Sequence, residues 1–259
     1  MTRKNQEDVL EEVGGRVPRR KTRAVKASQP DAHKEVKQKF VEERKNVPPL
    51  RPMNDLQAEY IRLINTKPLV ISTGFAGTSK TYVPTVMACD KLRQGEIDKL
   101  YLVRPAVSSS KSLGYFSGDV NQKMSFWLMP ILATLYERLG REVVDIYIKH
   151  GDISFVPLET IKGMNFGKRS FTICDEAEDI TIQEAKSIVT RQGGGTLVLA
   201  GDLEQSALKE GSGLLWLKHM VEKNPLLADT TGFVDFNRPS DIVRSESCKQ
   251  WILAMRRDM

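Results

Sequence analysis

Eight consecutive residues, Gly74-Phe75-Ala76-Gly77-Thr78-Ser79-Lys80-Thr81, combine small side chains with a lysine and a hydroxyl. They follow an apolar run and precede a helical pattern, which is where a phosphate-binding loop must lie. In such a loop, small residues let successive backbone N–H groups converge on a phosphate at a helix N-terminus, where the helix dipole also favours an anion. Lys80 would neutralise β- and γ-phosphate charge, and the Thr81 hydroxyl would join the coordination of Mg²⁺. The glycine usual before the lysine is replaced by Ser79. A serine fits there without strain if the position already lies in the first helical turn with negative φ. Taken alone, the segment could also be a Gly/Ser turn that happens to precede Lys-Thr.

About 95 residues after Lys80, the apolar run Phe171 to Cys174 ends in Asp175-Glu176. An acidic pair at the carboxyl end of a parallel strand suits ATP hydrolysis: Asp175 would hold Mg²⁺ through water, and Glu176 would activate the water that attacks the γ-phosphate. The alternative is a helix N-terminus decorated with acids, since Glu178 and Asp179 follow. A further run, Thr196 to Ala200, leads into Gly201-Asp202-Leu203-Glu204-Gln205, and Gln205 can hydrogen-bond the γ-phosphate or the attacking water. Three strand ends converging on one triphosphate give an ATP·Mg²⁺ site. Upstream, Asn54 and Gln57 open a helical pattern containing Tyr60; Gln57 can read the adenine edge with its amide, or lie on an ordinary polar helix surface.

These residues need a sheet to carry them. Short apolar runs bounded by Gly, Pro and Asp alternate with amphipathic stretches from Leu50 onward, the pattern of a parallel sheet covered by helices. Strands are expected at Leu69 to Thr73, Leu100 to Arg104, Ile153 to Pro157, Ser170 to Cys174, Thr196 to Ala200 and Phe233 to Phe236. Helices are expected at Asp55 to Asn65, Lys80 to Arg93, Gln122 to Leu139, Ile182 to Arg191, Gly213 to Val221 and Asp241 to Met255. In the last of these Ser240 would cap the first turn, with Val243, Trp251, Ile252 and Met255 at helical spacing.

The chain of 259 residues, 40% hydrophobic and 28% charged, suffices for one α/β domain, residues 50–259, behind a tail. Residues 1–49 carry 13 Lys plus Arg against 8 Asp plus Glu, so this stretch holds +5 of the net charge of +6. With Pro18, Pro30, Pro48, Pro49 and few large apolar residues, it reads as a mobile basic tail with at most a short charged helix over Ala32 to Lys45. Cys89, Cys174 and Cys248 are too scattered for a disulfide framework or a CxxC metal pair, and read as reduced thiols. No secretory h-region opens the chain and no apolar stretch is long enough for a membrane helix, so the expected compartment is the cytoplasm.

Beyond the ATPase motifs, the order of Val103-Arg104-Pro105-Ala106-Val107, Leu113-Gly114-Tyr115-Phe116-Ser117-Gly118-Asp119, Gln122-Lys123, Asp175-Glu176-Ala177, Thr190-Arg191, Gly201-Asp202 with Gln205, and Asp241-Ile242-Val243-Arg244 resembles the PhoH-like proteins. These are ATP-binding proteins related to the cores of superfamily 1 helicases. The resemblance covers residues 54–255 and implies a RecA-like P-loop NTPase fold, with a mostly parallel sheet flanked by helices. It also implies a homo-oligomer, commonly a hexameric ring with ATP between subunits, where a neighbour's arginine can stabilise transition-state charge. Arg244 is the first candidate for that role and Arg191 the second; each could instead be a surface or ion-pairing arginine. Arg104 is a candidate contact to phosphate or nucleic acid, or one half of an intradomain salt bridge. The chain departs from the family pattern at Ser79, at Glu178 where a glutamine is usual, and in Ile161-Lys162-Gly163-Met164, which is less arginine-rich. A short form without KH-like or PIN domains resembles those encoded by bacteriophages, which would place it in the host cytoplasm.

The foremost expectation is an ATPase coupled to RNA or single-stranded nucleic acid as a helicase-like motor. The alternative is a nucleotide-switched oligomeric scaffold with slow or vestigial hydrolysis, supported by Ser79 and Glu178. A small-molecule kinase fits the P-loop but not the Asp175-Glu176 pair with Gln205.

Overall fold

The computed structural model describes residues 47–105 and 129–257. The basic stretch 1–46, with its possible helix at Ala32 to Lys45, lies outside the described residues. So do the segment Leu113 to Asp119, Gln122-Lys123 and the first residues of the helix expected from Gln122.

Helix α1 (Asp55–Thr66) is started by Asn54, whose side-chain oxygen accepts the Gln57 N–H at 2.8 Å. Strand β1 (Leu69–Gly74) leads through the glycine-rich loop into α2 (Tyr82–Gln94), which Gly95 closes in the left-handed conformation. Then come β2 (Lys99–Arg104), α3 (Met129–Leu139), α4 (Arg141–Lys149) and β3 (Ile153–Pro157). A short β4 (Phe166–Gly167) precedes β5 (Ser170–Cys174), followed by α5 (Ile182–Val189), β6 (Gln192–Gly193), β7 (Thr196–Ala200), α6 (Gly213–Lys223), α7 (Pro225–Ala228), β8 (Thr231–Phe236) and α8 (Glu246–Arg257). Thr181 and Glu184 form a reciprocal capping box that starts α5 immediately after the acidic segment.

Six strands make one sheet in the order β3-β2-β5-β7-β1-β8, with every pairing parallel. The expected α/β fold, a parallel sheet flanked by helices, is therefore what the chain adopts. Alternate residues of each strand point to opposite faces, and two cores result. Val70, Leu102, Ile173 and Val198 pack against Tyr60, Val83, Leu135 and Val144 of α1 to α4. Ile71, Val103, Cys174 and Leu199 pack against Ala185, Ile188, Leu214 and Leu217 of α5 and α6. Each buried Val, Leu or Ile among them contributes about 1.5–3 kcal/mol by leaving water. That burial fixes β1, β5 and β7 side by side, with their carboxyl ends level, which is where ligands bind in open parallel sheets.

Helix α4, the short strands β4 and β6 and the one-turn α7 have no counterpart in the sequence reading, and other elements start at different residues. α2 begins at Tyr82 rather than Lys80, so the loop extends through Thr81. The final helix begins at Glu246 rather than Asp241: residues Pro239–Asp241 form a separate 3₁₀ turn, and Val243 N–H donates to the Gly77 carbonyl at 3.0 Å. That bond pulls the chain straight across the loop, and Ser245, not Ser240, receives the first helical N–H through its side chain, from Cys248. Trp251 and Met255, expected at helical spacing, are 68% and 53% exposed.

Candidate nucleotide site

A cleft of about 680 Å³ opens over the carboxyl ends of β1, β5 and β7. The loop Ala76 to Thr81 forms its floor, Asp175, Glu176 and Glu178 one wall, and Gly201, Asp202 and Gln205 the next; Val243 and Arg244 close it from the far side. Ten of the residues expected from sequence therefore meet here: Ala76 to Thr81, Asp175, Glu176, Gln205 and Arg244. Gly74 and Phe75 form the stem of the loop behind them.

The loop is held by contacts within the chain. The Lys80 ammonium donates to the carbonyls of Gly74 and Phe75, each at 2.6 Å, and Thr78 Oγ1 donates to the Phe75 carbonyl at 2.9 Å. Tyr60, fully buried beneath the loop, donates its hydroxyl to the Lys80 carbonyl at 2.8 Å. Burial depresses the Lys80 pKa, opposed by the carboxylates of Asp202, Glu178, Asp175 and Asp235 around it. The cleft thus holds one enclosed cation among four acids. Thr81 Oγ1 donates to Asp175 Oδ1 at 2.6 Å, which brings the two oxygens expected around Mg²⁺ into contact. This donor set of hydroxyl and carboxylate suits a hard cation that keeps most of its waters.

Ser79 has φ +69°, in the left-handed region, and not the negative φ expected of it. The helix begins two residues later than its sequence pattern suggests, so the position keeps the conformation for which glycine is usual. The serine costs about 1 kcal/mol there. Gly77 is left-handed too, with φ +75°, and in addition a Cβ there would meet Arg244 Cγ at 2.6 Å. The stem of Arg244 therefore lies directly on the loop of its own chain.

The other candidates fall elsewhere. Gln57 is buried and does not line the cleft; its amide accepts the Met53 N–H at 2.9 Å and donates to the Thr78 carbonyl at 3.3 Å, clasping the start of α1 to the loop. Asn54 is a helix cap. Arg191 follows α5 at the opposite, amino end of the sheet, where its carbonyl accepts the Phe166 N–H and the next residue, Gln192, bonds to Pro68 ahead of β1. Arg104 forms an ion pair with Glu176, the intradomain alternative among its two readings.

Two residues that sequence reasoning passed over help to hold the site. Arg256 of α8 lies 3.9 Å over the Phe75 ring and pairs with Glu204 beside Gln205, so one cation ties the loop to the β7 turn. No sequence signal relates positions so far apart. Glu178, read only as a departure from the family pattern, is 7% exposed, and its Oε2 accepts the Asp202 N–H at 3.1 Å. A Cβ on Gly201 would collide with that carboxylate.

Burial pushes the Glu178 carboxyl up to about 7, with Glu176 and Asp179 adding to the rise and hydrogen bonds from its own and the Asp202 N–H opposing it. Between the unfolded value near 4.5 and about 7 the folded state holds a proton that the unfolded state has lost. Stability is thus fully present below 4.5 and falls as pH rises through 7, by about 3 kcal/mol at most. Glu178→Gln keeps the acceptor for Asp202 and removes the charge. Its melting temperature should exceed the parent's at pH 8, with a much smaller difference at pH 5; an equal gain at both values would refute the assignment.

The description "PhoH-like protein" belongs to the family whose profile matches residues 49–256. The PhoH-like protein of Bacillus subtilis is 35% identical over 169 residues, covering 64% of this chain and 53% of that protein. Protein PhoH of Escherichia coli is 28% identical over 211 residues, covering 80% and 58%. The PhoH-like protein of Synechocystis is 35% identical over 153 residues, covering 59% and 46%. The chain spans about half the length of these relatives. Among solved structures, the Pif1 helicase of Candida albicans is similar with a TM-score of 0.34 and 12% identity, covering 74% of this chain and 42% of that one.

Proposed function

The chain belongs to the PhoH-like family of P-loop ATPases, and from that premise we propose that it binds ATP with Mg²⁺ and hydrolyses it, coupled to RNA or single-stranded nucleic acid. The observation that carries the reading is the meeting of Lys80, the Thr81–Asp175 contact and Glu176 in one cleft. Incoming phosphate oxygens take Lys80 from the two loop carbonyls, exchanging neutral acceptors for charged ones. Thr81, and Asp175 through water, would hold Mg²⁺, which would supply positive charge to the β- and γ-phosphate oxygens. Glu176 accepts the proton of the attacking water, and Gln205 hydrogen-bonds that water or the γ-phosphate. Arg244 stabilises transition-state charge from within the same chain, as its packing on Gly77 supports. Arg191, at the far end of the sheet, could serve only a neighbouring subunit of a ring.

Coupling to nucleic acid is supported by the basic stretch 1–49, which can hold a phosphate backbone without sequence preference. A second reading, a nucleotide-switched oligomer with slow hydrolysis, is favoured by the strained Ser79. Steady-state ATPase assays with and without poly(U), combined with solution mass with and without ATP, separate the two. Turnover that rises with poly(U) supports the motor, and no turnover under any condition leaves the switch. Removing residues 1–48 should weaken poly(U) binding and flatten the plot of log affinity against log salt, while ATP binding is kept. An unchanged slope would clear the basic stretch of the electrostatic contact.

A further inference from the structure

β2 and β5 are neighbours, paired Val103 to Cys174, and the Asp175 N–H donates to the Val103 carbonyl at 3.0 Å. Just beyond this pairing, Arg104 follows Val103 by one residue and Glu176 follows Cys174 by two, and their side chains meet. Arg104 Nη2 pairs with Glu176 Oε1; the arginine side chain is 14% exposed and stays out of the cleft, while Glu176 lines it. Glu176 also has φ +52° and ψ +42°, left-handed values that a non-glycine residue keeps only where its surroundings impose them.

Glu176 stands within an acidic group of Asp175, Glu178 and Asp179, and a polyphosphate would add further negative charge. A lone carboxylate there would be driven outward by repulsion. Arg104 supplies the opposing charge from the side away from the cleft. A guanidinium is suited to this task, because it stays charged and its rigid planar head presents Nη2 to Oε1 from one direction. With Oε1 held by the arginine, Oε2 is left for the water.

Resting on the hydrolytic reading above, we propose that Arg104 is the positioning residue for Glu176. It acts on turnover through the base and takes no part in holding nucleotide. The test compares Arg104→Gln and Arg104→Lys with the parent and with Glu176→Gln, in steady-state and single-turnover ATP hydrolysis, fluorescent-ATP binding and thermal melting. Arg104→Gln should lower kcat about tenfold or more, with KM and nucleotide affinity within about threefold of the parent. Arg104→Lys should recover part of the loss, since it restores charge but not the planar head. In the Glu176→Gln background, Arg104→Gln should cause no further loss, because both changes disable the same unit. A wild-type kcat in Arg104→Gln, a loss that appears in affinity, or effects that multiply in the double variant would each overturn the assignment. If Arg104→Gln does not fold, the Arg104→Lys split between kcat and KM decides. A parent protein without turnover would bring down the hydrolytic reading and this proposal together; an active parent with an indifferent Arg104→Gln brings down this proposal alone.

Discussion

Glu176→Gln should reduce ATP turnover by about 10²–10⁴-fold, the range for loss of a positioned general base, while fluorescent ATP still binds with near-parental affinity. The expectation follows from the division of the cleft. On the proposed reading Lys80 meets phosphate charge, Thr81 and Asp175 meet the metal, and Glu176, ion-paired with Arg104, serves neither purpose. Gln is nearly isosteric, keeps an oxygen for Arg104 and leaves the backbone conformation unchanged, so binding should survive and only proton acceptance should be lost. Asp175→Asn should behave differently, losing the acceptor of the Thr81 bond and weakening Mg²⁺-dependent binding. A Glu176→Gln protein that keeps more than about a tenth of parental turnover would remove Glu176 from the role of base.

The strands were legible because a parallel sheet buried on both faces writes its strands as short apolar runs. β2, β3, β5 and β7 fall within a residue of their expected bounds, and only β8 starts two residues earlier, at Thr231. The phosphate loop and both acidic strand ends were legible for a related reason: each is a local cluster whose function depends on its place at a strand end. What escaped was set by contacts distant in sequence. The start of α8 depends on the Val243 bond to Gly77, more than 160 residues back, and helical periodicity carries no trace of it. A negative φ at Ser79 depended on the helix already having begun there, and the helix begins only at Tyr82, leaving Ser79 in the left-handed region. Gln57 has a side chain suited to reading a base edge, and two backbone groups claim it first. Arg244 was read as a group for a neighbour's site, because sequence cannot tell that β8 lies next to β1 and delivers the arginine to its own loop.

Replacing Lys80 with alanine should weaken ATP binding by about 10²-fold or more, since each charge-assisted hydrogen bond lost to phosphate is worth about 1.5–3 kcal/mol. The cleft makes this lysine harder to replace than a surface cation. Asp175 and Asp202 line the cleft around it, with Glu178 beside them, so its removal leaves acids facing a polyphosphate without their counter-charge. The effect on stability is smaller and of mixed sign. Burial of the ammonium is unfavourable and is relieved, but the carbonyls of Gly74 and Phe75 lose their donor and the acids lose their counter-charge. Lys80→Arg keeps the charge, yet the longer planar head cannot sit between those two carbonyls without opening the loop, so it should restore only a minor part of the affinity. Titration of fluorescent ATP against each variant, with melting curves to confirm folding, reads both effects. Parental affinity in a folded Lys80→Ala protein would mean that the triphosphate does not lie on this loop, and the roles given to Thr81, Asp175 and Glu176 would fall with it.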